Sequence, residues 1–547
     1  MFSLPSPCSA LIAATYFLTV SATTVSSNTT AACTAISVSS IETLSLSSDA
    51  LNSDYVTAKD HYWSAANADL SPACAVFPTS AEDVSTIVSA LLQYPDVTFA
   101  VKSGGHNPNV GWSSVDGGVL IVMSNLGNTT FNPGDNTANI GPGARWKDVI
   151  GALEPYGVAV VSGRLGDVGV AGLTLGGGLS FLSGQYGLVC DNVVNYEVVL
   201  ANASIVNANA TSHPDLFFAL KGGGNQFGQH FLPPFQPTTN NHRYRYIFHD
   251  ENTSHWYQRP SLGRYPLVRR TYAEQIINAT QAFTETYVDH PKAAVIVTGE
   301  VAIDTLLEIF VVFFFYDGES VPDGIFDAFN AIPTISDDAK TRTYSDLLNG
   351  DDNTNLYGLR YLIRGATLPN LPAPTGATLL QTHYDTWKSY VLLNSPLHPG
   401  FIFSLAFQPL PAIIPAASAA AGGNALGMDA RNGDFMWMEY DISWLTALGD
   451  EDAHATAINI TATAKEQVAD VYGGRGLVNS HWEEGGASVG EGDGKGGENL
   501  YFLNDAMYDQ ETLQSYGEGN YEKLTQVHRD VDPEALFWGR TGGFKFT

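Results

Sequence analysis

Val97-Thr98-Phe99-Ala100-Val101-Lys102-Ser103-Gly104-Gly105-His106 is the stretch on which the fold turns. Its first half is rich in β-branched and aromatic residues, which predicts a strand. The strand runs directly into a glycine pair and a histidine. Glycine allows positive φ and lets a ligand approach the backbone closely. Two more clusters, Gly176-Gly177-Gly178 and Gly222-Gly223-Gly224, also follow strand-like runs. Any one of them reads as a tight turn between short strands. Three within about 120 residues read instead as loops whose backbone N–H groups cradle a pyrophosphate. No Lys-Ser/Thr follows the glycines, so none is a P-loop. The Gly-X-Gly-X-X-Gly spacing is missing between a strand and a long amphipathic helix, so a Rossmann fold is excluded as well.

Around this stretch the pattern is that of short strands and helices punctuated by glycine, an α+β arrangement. Cys74-Ala75-Val76-Phe77 reads as a strand ending at Pro78. Ser80-Ala81-Glu82-Asp83 caps a helix with Val84, Ile87, Val88 and Leu91 on its apolar face. Strands are expected at 118–122 and 137–140, and a helix from Trp146. A second region, from about Tyr272 to Glu483, carries longer elements. They include strands at 294–297 and 307–316 and a helix over 453–472. The Gly-rich stretch 484–498 reads as an exposed loop. From Leu500 the chain is compact again, with a strand and then a helix around 521–528.

The 547 residues exceed one ordinary core, and 44% hydrophobic content can build two. Only 15% of residues are charged, which argues against wholesale disorder. The formal net charge of −30 leaves no basic face for nucleic acid. It reads as an acidic, solubilising surface, or as an acidic face for a cationic substrate. The apolar run Ala10 to Val20 is too short to span a bilayer and ends in small residues, so residues 1–22 read as a signal peptide cleaved near Ala22. Secretion agrees with Asn-X-Ser/Thr triplets at Asn28, Asn128, Asn202, Asn209, Asn252, Asn278 and Asn459. Cys33 and Cys74 could form a disulfide, which would leave Cys190 as a buried thiol. No membrane span is expected.

Val101-Lys102-Ser103-Gly104-Gly105-His106 resembles the first flavin loop of the family of the berberine bridge enzyme and 6-hydroxy-nicotine oxidase. That family has the vanillyl-alcohol oxidase-type FAD-binding domain. Residues 163–178 resemble its second loop, 186–193 the segment after it, and 215–228 the third loop. The tail from Tyr516 to Leu524, with Asp532-Pro533 and Phe537, resembles the family's C-terminal return to the flavin domain. The likeness runs from about residue 70 to the C-terminus with one break. Fungal secondary-metabolite members look most similar.

The resemblance implies a two-domain α+β flavoprotein. A linker and helix (23–69) lead into an FAD-binding domain of the vanillyl-alcohol oxidase type (70–245). A substrate domain with an antiparallel sheet covered by helices (246–498) follows, then a segment returning to the FAD domain (499–547). FAD is expected to bind Ser103, Gly104, Gly105, His106, Asn107, Val168, Gly169, Gly172, Gly176, Gly177, Asp191, Asn192, Gly223, Asn520 and Tyr521. His106 matches the histidine that bonds the flavin 8α-methyl group. Leu165 stands where many relatives carry a second, cysteine attachment, so a single covalent bond is expected. Val168 matches the gate beside the flavin, and its small size favours an oxidase. The implied reaction passes a hydride from a small organic molecule to flavin N5 and then electrons to O2, in a monomer. The candidate bases are Tyr440, Glu439, Tyr501 and Asp505. Strand alternation allows only one of Glu439 and Tyr440 to face the cleft.

The break is at 229–270. There the family's expected strand gives way to a segment with little periodicity, six arginines and four histidines. It reads as a basic insertion or as an unspliced intron. His230, His242, His249 and His255 lack metal-ligand spacing, and no metal is expected. Two other functions stay open: a carbohydrate oxidase of the same family, and a non-catalytic secreted scaffold.

Overall fold

The computed structural model describes residues 25–231, 244–250, 272–302, 307–318, 320–334, 336–337, 340–351, 356–394, 400–472 and 500–546. The expected signal peptide, the 484–498 stretch, Asn252 and most of the 229–270 segment lie outside them.

In the first domain, Cys74–Phe77, Val119–Val122 and Phe99–Lys102 pair in parallel, in that order. Every residue of Val119–Val122 is buried, as befits a parallel strand covered on both faces. The helix Ala81–Leu92 starts where Ser80 Oγ accepts the Asp83 N–H at 3.1 Å, and it buries Val84, Ile87, Val88 and Leu91 against this sheet. A three-stranded antiparallel sheet, ordered Ile205–Asn209, Asn195–Val199, Gln229–Phe231, completes the domain with a small hairpin, Thr129–Asn132 and Thr137–Ile140.

Two sequence expectations change here. The 23–69 segment, expected as a linker and helix, is more ordered than that over its described residues 25–69. Ser27–Ser37 is a helix that buries Ala32, Cys33 and Ile36. Glu42–Ser45 adds an antiparallel strand beside Cys74–Phe77, and Cys33 is bonded to Cys74. The Ser/Thr-rich composition hid an apolar face only a few residues wide. The 229–270 segment, in turn, is not without strands. Gln229–Phe231 pairs with Asn195–Val199, and Tyr244–Asp250 pairs with Leu307–Asp317. The boundary expected at 245 therefore cuts through a strand of the second domain. Strand formation there is decided by partners distant in sequence, which local periodicity does not report.

The second domain is built on one antiparallel sheet. Its order is Ser336–Asp337, Tyr244–Asp250, Leu307–Asp317, Ala293–Ala302, Ile402–Leu410, Phe435–Trp444 and Arg360–Pro369, with Lys340–Arg342 also on Tyr244–Asp250. The helices Ala273–Thr286, Thr375–Asn394 and Asp450–Tyr472 cover one face. Alternation along Phe435–Trp444 separates two environments. Met436, Met438, Tyr440, Ile442 and Trp444 pack under the helices, while Trp437 joins the core shared with the first domain. No described helix is long and apolar enough to cross a membrane. The tail holds the helix Glu518–Val531, but 500–505 is not the expected strand. Its backbone is engaged by side chains instead: Thr367 Oγ1 donates to Leu500 O, and Ser515 Oγ accepts from Tyr501 N.

The helix layer contains a fully buried histidine. His383 Nδ1 lies 2.8 Å from Gln467 Oε1, and its Nε2 contacts the Tyr440 hydroxyl. Gln467 Nε2 donates to Thr386 Oγ1, so its Oε1 is free to accept from His383 Nδ1–H, and His383 Nε2 accepts from Tyr440. Burial holds the imidazole down to about 4, below its usual 6.5. The unfolded chain therefore takes up this proton first as pH falls. The stabilisation is complete above 6.5 and is lost between 6.5 and about 4. Urea titrations of wild type and His383→Gln should diverge across that window by on the order of 3 kcal/mol. Parallel curves would remove the neutral-imidazole assignment.

Candidate active site

The two domains meet at a cavity of about 280 Å³. One wall is the turn after Phe99–Lys102: Ser103, Gly104, Gly105, His106 and Asn107. A second is the loop and helix start that supply Arg164, Leu165, Val168, Gly169, Gly172 and Leu173, with Asn225 and Gly228 from the third glycine loop alongside. The second domain's sheet contributes Ile363 and Glu439, and the tail contributes Phe502, Leu503, Asn504 and Asp505. Gly105 takes φ +66°, which turns the chain so that His106 reaches the cavity.

A compact polar cluster faces these loops. Gln408 is fully buried, and its Nε2 lies 2.8 Å from Asp505 Oδ2 and 3.2 Å from Glu439 Oε2. Arg164 Nη2 donates to the Gln408 carbonyl oxygen. Burial pushes the Asp505 carboxyl up to about 6, against the pull of the Gln408 N–H and the Arg164 guanidinium. Burial, with Asp505 and Asp441 nearby, pushes Glu439 well above the usual carboxylate range. Burial and then Glu300 raise Asp441 to about 8. Both carboxyls beside Gln408 are thus held above the usual carboxylate range and titrate as one coupled pair.

Of the four candidate bases, the structure brings Glu439 and Asp505 together. Tyr440 lies on the other face of the strand, under the helices with His383. Tyr501 is buried and does not line the cavity, because Phe502 takes the position against Trp437, ring centroids 4.1 Å apart.

Ser103, Gly104, Gly105, His106, Asn107, Val168, Gly169 and Gly172 line the cavity. Gly176, Gly177, Asp191, Asn192, Gly223, Asn520 and Tyr521 do not, and most of these shape loops instead. Asp191 Oδ2 accepts the Leu188 N–H at 2.8 Å, and Asn192 Nδ2 donates to Tyr186 O and Leu188 O. A side chain at Gly176 would run into Asn504, and one at Gly223 into Ala219 O. Tyr521 packs near Phe546 in the tail.

Sequence reading missed Gln408, Asn504 and Trp63. Asn504 Oδ1 accepts the Gly178 N–H at 3.1 Å and its Nδ2 donates to Leu173 O at 3.2 Å, tying the tail to the second loop. Strand alternation places Gln408 on the Glu439 face once the register is known, since Gln408 pairs with Trp437.

Residues 72–209 match the family model of an FAD binding domain. An uncharacterised FAD-linked oxidoreductase of Arthroderma benhamiae is 36% identical over 492 residues, 90% of each chain. This chain belongs to the FAD-linked oxidoreductases. The FAD-dependent monooxygenase drtC of Aspergillus calidoustus is 30% identical over 90% of this chain and 86% of the relative. Among solved structures, 6-hydroxy-D-nicotine oxidase of Arthrobacter nicotinovorans has a TM-score of 0.67 at 20% identity, over 91% of this chain and 96% of its own. A xylooligosaccharide oxidase from Myceliophthora thermophila has a TM-score of 0.68 at 17% identity, over 94% and 99%. Both share the fold, a vanillyl-alcohol oxidase-type domain joined to an antiparallel-sheet domain.

The cavity of this FAD-linked oxidoreductase fits its cofactor. Gly104 and Gly169 abut backbone to backbone: a Cβ on Gly104 would stand 2.5 Å from Gly169 N, and one on Gly169 would stand 2.4 Å from Gly104 N. At Gly172 a Cβ would project into open space. Only glycine lets the first two loops close on each other and leave backbone as the cavity wall. Gly169→Ala should therefore part the loops, cost about 1–3 kcal/mol and lower bound FAD. The flavin-to-protein absorbance ratio and thermal unfolding of the purified variant check this, and a wild-type ratio would overturn it.

Proposed function

We propose that the enzyme is a secreted oxidase for a small organic secondary metabolite, with Asp505 as the base. The carrying observation is the pairing of Glu439 and Asp505 around one Gln408 amide, on the wall opposite the glycine loops. Two neighbouring carboxylates pushed to different proton affinities suit one to accept a proton and the other to hold one. FAD, when bound, takes two electrons from substrate and passes them to dioxygen. Ser103 to Asn107 and Val168 to Gly172 would hold it, with His106 as its single covalent anchor. Leu165 lines the cavity where a second attachment would need cysteine. Asp505 takes the proton from a substrate O–H or N–H, while Glu439 stays protonated and supplies a hydrogen-bond donor. Val168, at the cavity wall, is small enough to admit oxygen. The apolar neighbours Leu173, Ile363 and Phe502 favour a mostly apolar substrate.

The export reading rests on the N-terminal apolar run and on the exposed positions of Asn28, Asn128, Asn202, Asn278 and Asn459. A culture-medium protein whose mobility shifts on endoglycosidase treatment supports it; an untrimmed intracellular protein refutes it.

The names of the monooxygenase relatives favour a second reading, in which one oxygen atom enters the product. Turnover under ¹⁸O2 separates the two. Stoichiometric hydrogen peroxide with unlabelled product supports the oxidase, and labelled product supports the monooxygenase. A panel of oligosaccharides beside polyketide-like and alkaloid-like compounds tests the carbohydrate-oxidase alternative in the same assay.

A further inference from the structure

Trp63 lies between His106 and the second domain. Its ring is parallel to His106, with centroids 4.5 Å apart and an interplanar angle of 8°. On its other face Tyr361 stacks at 4.0 Å and 16°. Trp63 is only 5% exposed, and its backbone N–H donates to Gly105 O at 3.1 Å, one residue before His106. Tyr361 is held in turn: its hydroxyl donates to Leu356 O at 2.8 Å, and its N–H donates to Ser64 Oγ at 2.9 Å. Ile363, which lines the cavity, packs in the same small core with Trp63 and Tyr361. The three stacked rings thus join the first loop, the chain between Glu42–Ser45 and Cys74–Phe77, and the edge strand Arg360–Pro369 of the second domain.

We infer that Trp63 is the positioning residue for covalent attachment of FAD at His106, a role that rests on the covalent reading above. The bond joins a His106 ring nitrogen to the 8α carbon. The ring N–H proton and one 8α hydrogen leave, two electrons pass to dioxygen, and hydrogen peroxide carries off both hydrogens. The reacting lone pair lies in the plane of the imidazole. Rotation of the ring about its Cβ–Cγ bond would sweep that lone pair away from its target. A parallel indole, clamped from behind by Tyr361, confines the ring to one plane and so raises the effective concentration of the reacting nitrogen. Because the clamp comes from the second domain, attachment follows docking of that domain onto the first loop.

The test uses full-length apoprotein from riboflavin-limited cells, incubated with FAD in air. Flavin that survives acid precipitation is measured against time, and total bound flavin is measured before precipitation. Trp63→Leu should slow attachment about tenfold at equal total flavin, and Trp63→Phe, with a smaller face, about two- to threefold. A merely structural role would lower total flavin and leave the rate per bound FAD unchanged. Wild-type kinetics in Trp63→Leu overturn the inference while leaving the covalent link intact. If Trp63→Leu does not fold, the Trp63→Phe time course decides, and an unchanged rate overturns it. A wild-type chain that releases all its flavin on precipitation refutes the covalent reading itself, and this inference with it.

Discussion

Replacing Asp505 with Asn is expected to slow substrate-dependent flavin reduction by about 10²- to 10⁴-fold, the usual contribution of a positioned base. Asparagine keeps the size of the side chain and can still meet Gln408, so the loss reports the missing proton acceptor and not a collapsed wall. Stopped-flow bleaching of the flavin absorbance measures it directly, before any step involving oxygen. Glu439→Gln, which keeps a neutral hydrogen-bonding group at a position where burial disfavours the charged carboxylate, should cost far less. The pH dependence separates the two roles. Asp505 must be ionised to act, and burial raises it to about 6, so wild-type kcat/KM should climb with pH through that region. The observed midpoint belongs to the coupled pair, since Glu439 and Asp505 share Gln408. Gln408→Leu removes the N–H that favours the Asp505 anion, and the rise should move to higher pH. Asp505→Asn with a wild-type rate of flavin reduction would eliminate Asp505 as the base. An unmoved profile in Gln408→Leu would eliminate the hydrogen-bonded pairing as the cause of the profile.

His106→Ala is expected to abolish acid-stable flavin entirely while the purified protein stays yellow. The two parts of that result have different causes. Covalent retention depends on one nitrogen nucleophile, which alanine lacks. Non-covalent binding depends on the wall made by Gly104, Gly105, Gly169 and Gly172, which the substitution leaves in place. On the proposed covalent reading, an attached imidazole would raise the flavin's reduction potential, so the variant should show a lower potential and slower reduction by substrate. Absorbance of the precipitate and supernatant after acid treatment gives the first readout, and dye equilibration gives the second. Acid-stable flavin in His106→Ala would reassign the attachment to another residue.

Much of this site was legible along the chain because loops that carry a cofactor are local in sequence. Ser103-Gly104-Gly105-His106 lies on one turn and the 163–178 stretch on one loop with the short helix Val170–Leu175, and glycine at those positions reports a backbone demand that holds wherever the loop ends up. The same locality made the helix at Ala81–Leu92 and the strand at Phe99–Lys102 readable from capping and composition. The Cys33–Cys74 bridge was one pairing that the sequence allowed, and the structure forms it. The sequence by itself therefore determined the fold class, the cofactor and a histidine that lines the cavity.

The proton chemistry was not local. Alternation showed that Glu439 and Tyr440 face opposite ways but could not say which faces the cavity, because that depends on which face the helices cover. Asp505 and Gln408 lie 97 residues apart and meet only when the tail crosses the sheet. The 500–505 segment could not be read as a turn, because its hydrogen-bond partners are the side chains of Thr367 and Ser515 and not a neighbouring strand. Trp63 sat within the segment read as an N-terminal linker and helix, and its meaning comes from Tyr361 in the other domain. Only the tertiary structure decided these points. Register, sheet face and domain docking arise from contacts between distant segments, and a side chain's proton affinity follows from the burial those contacts impose.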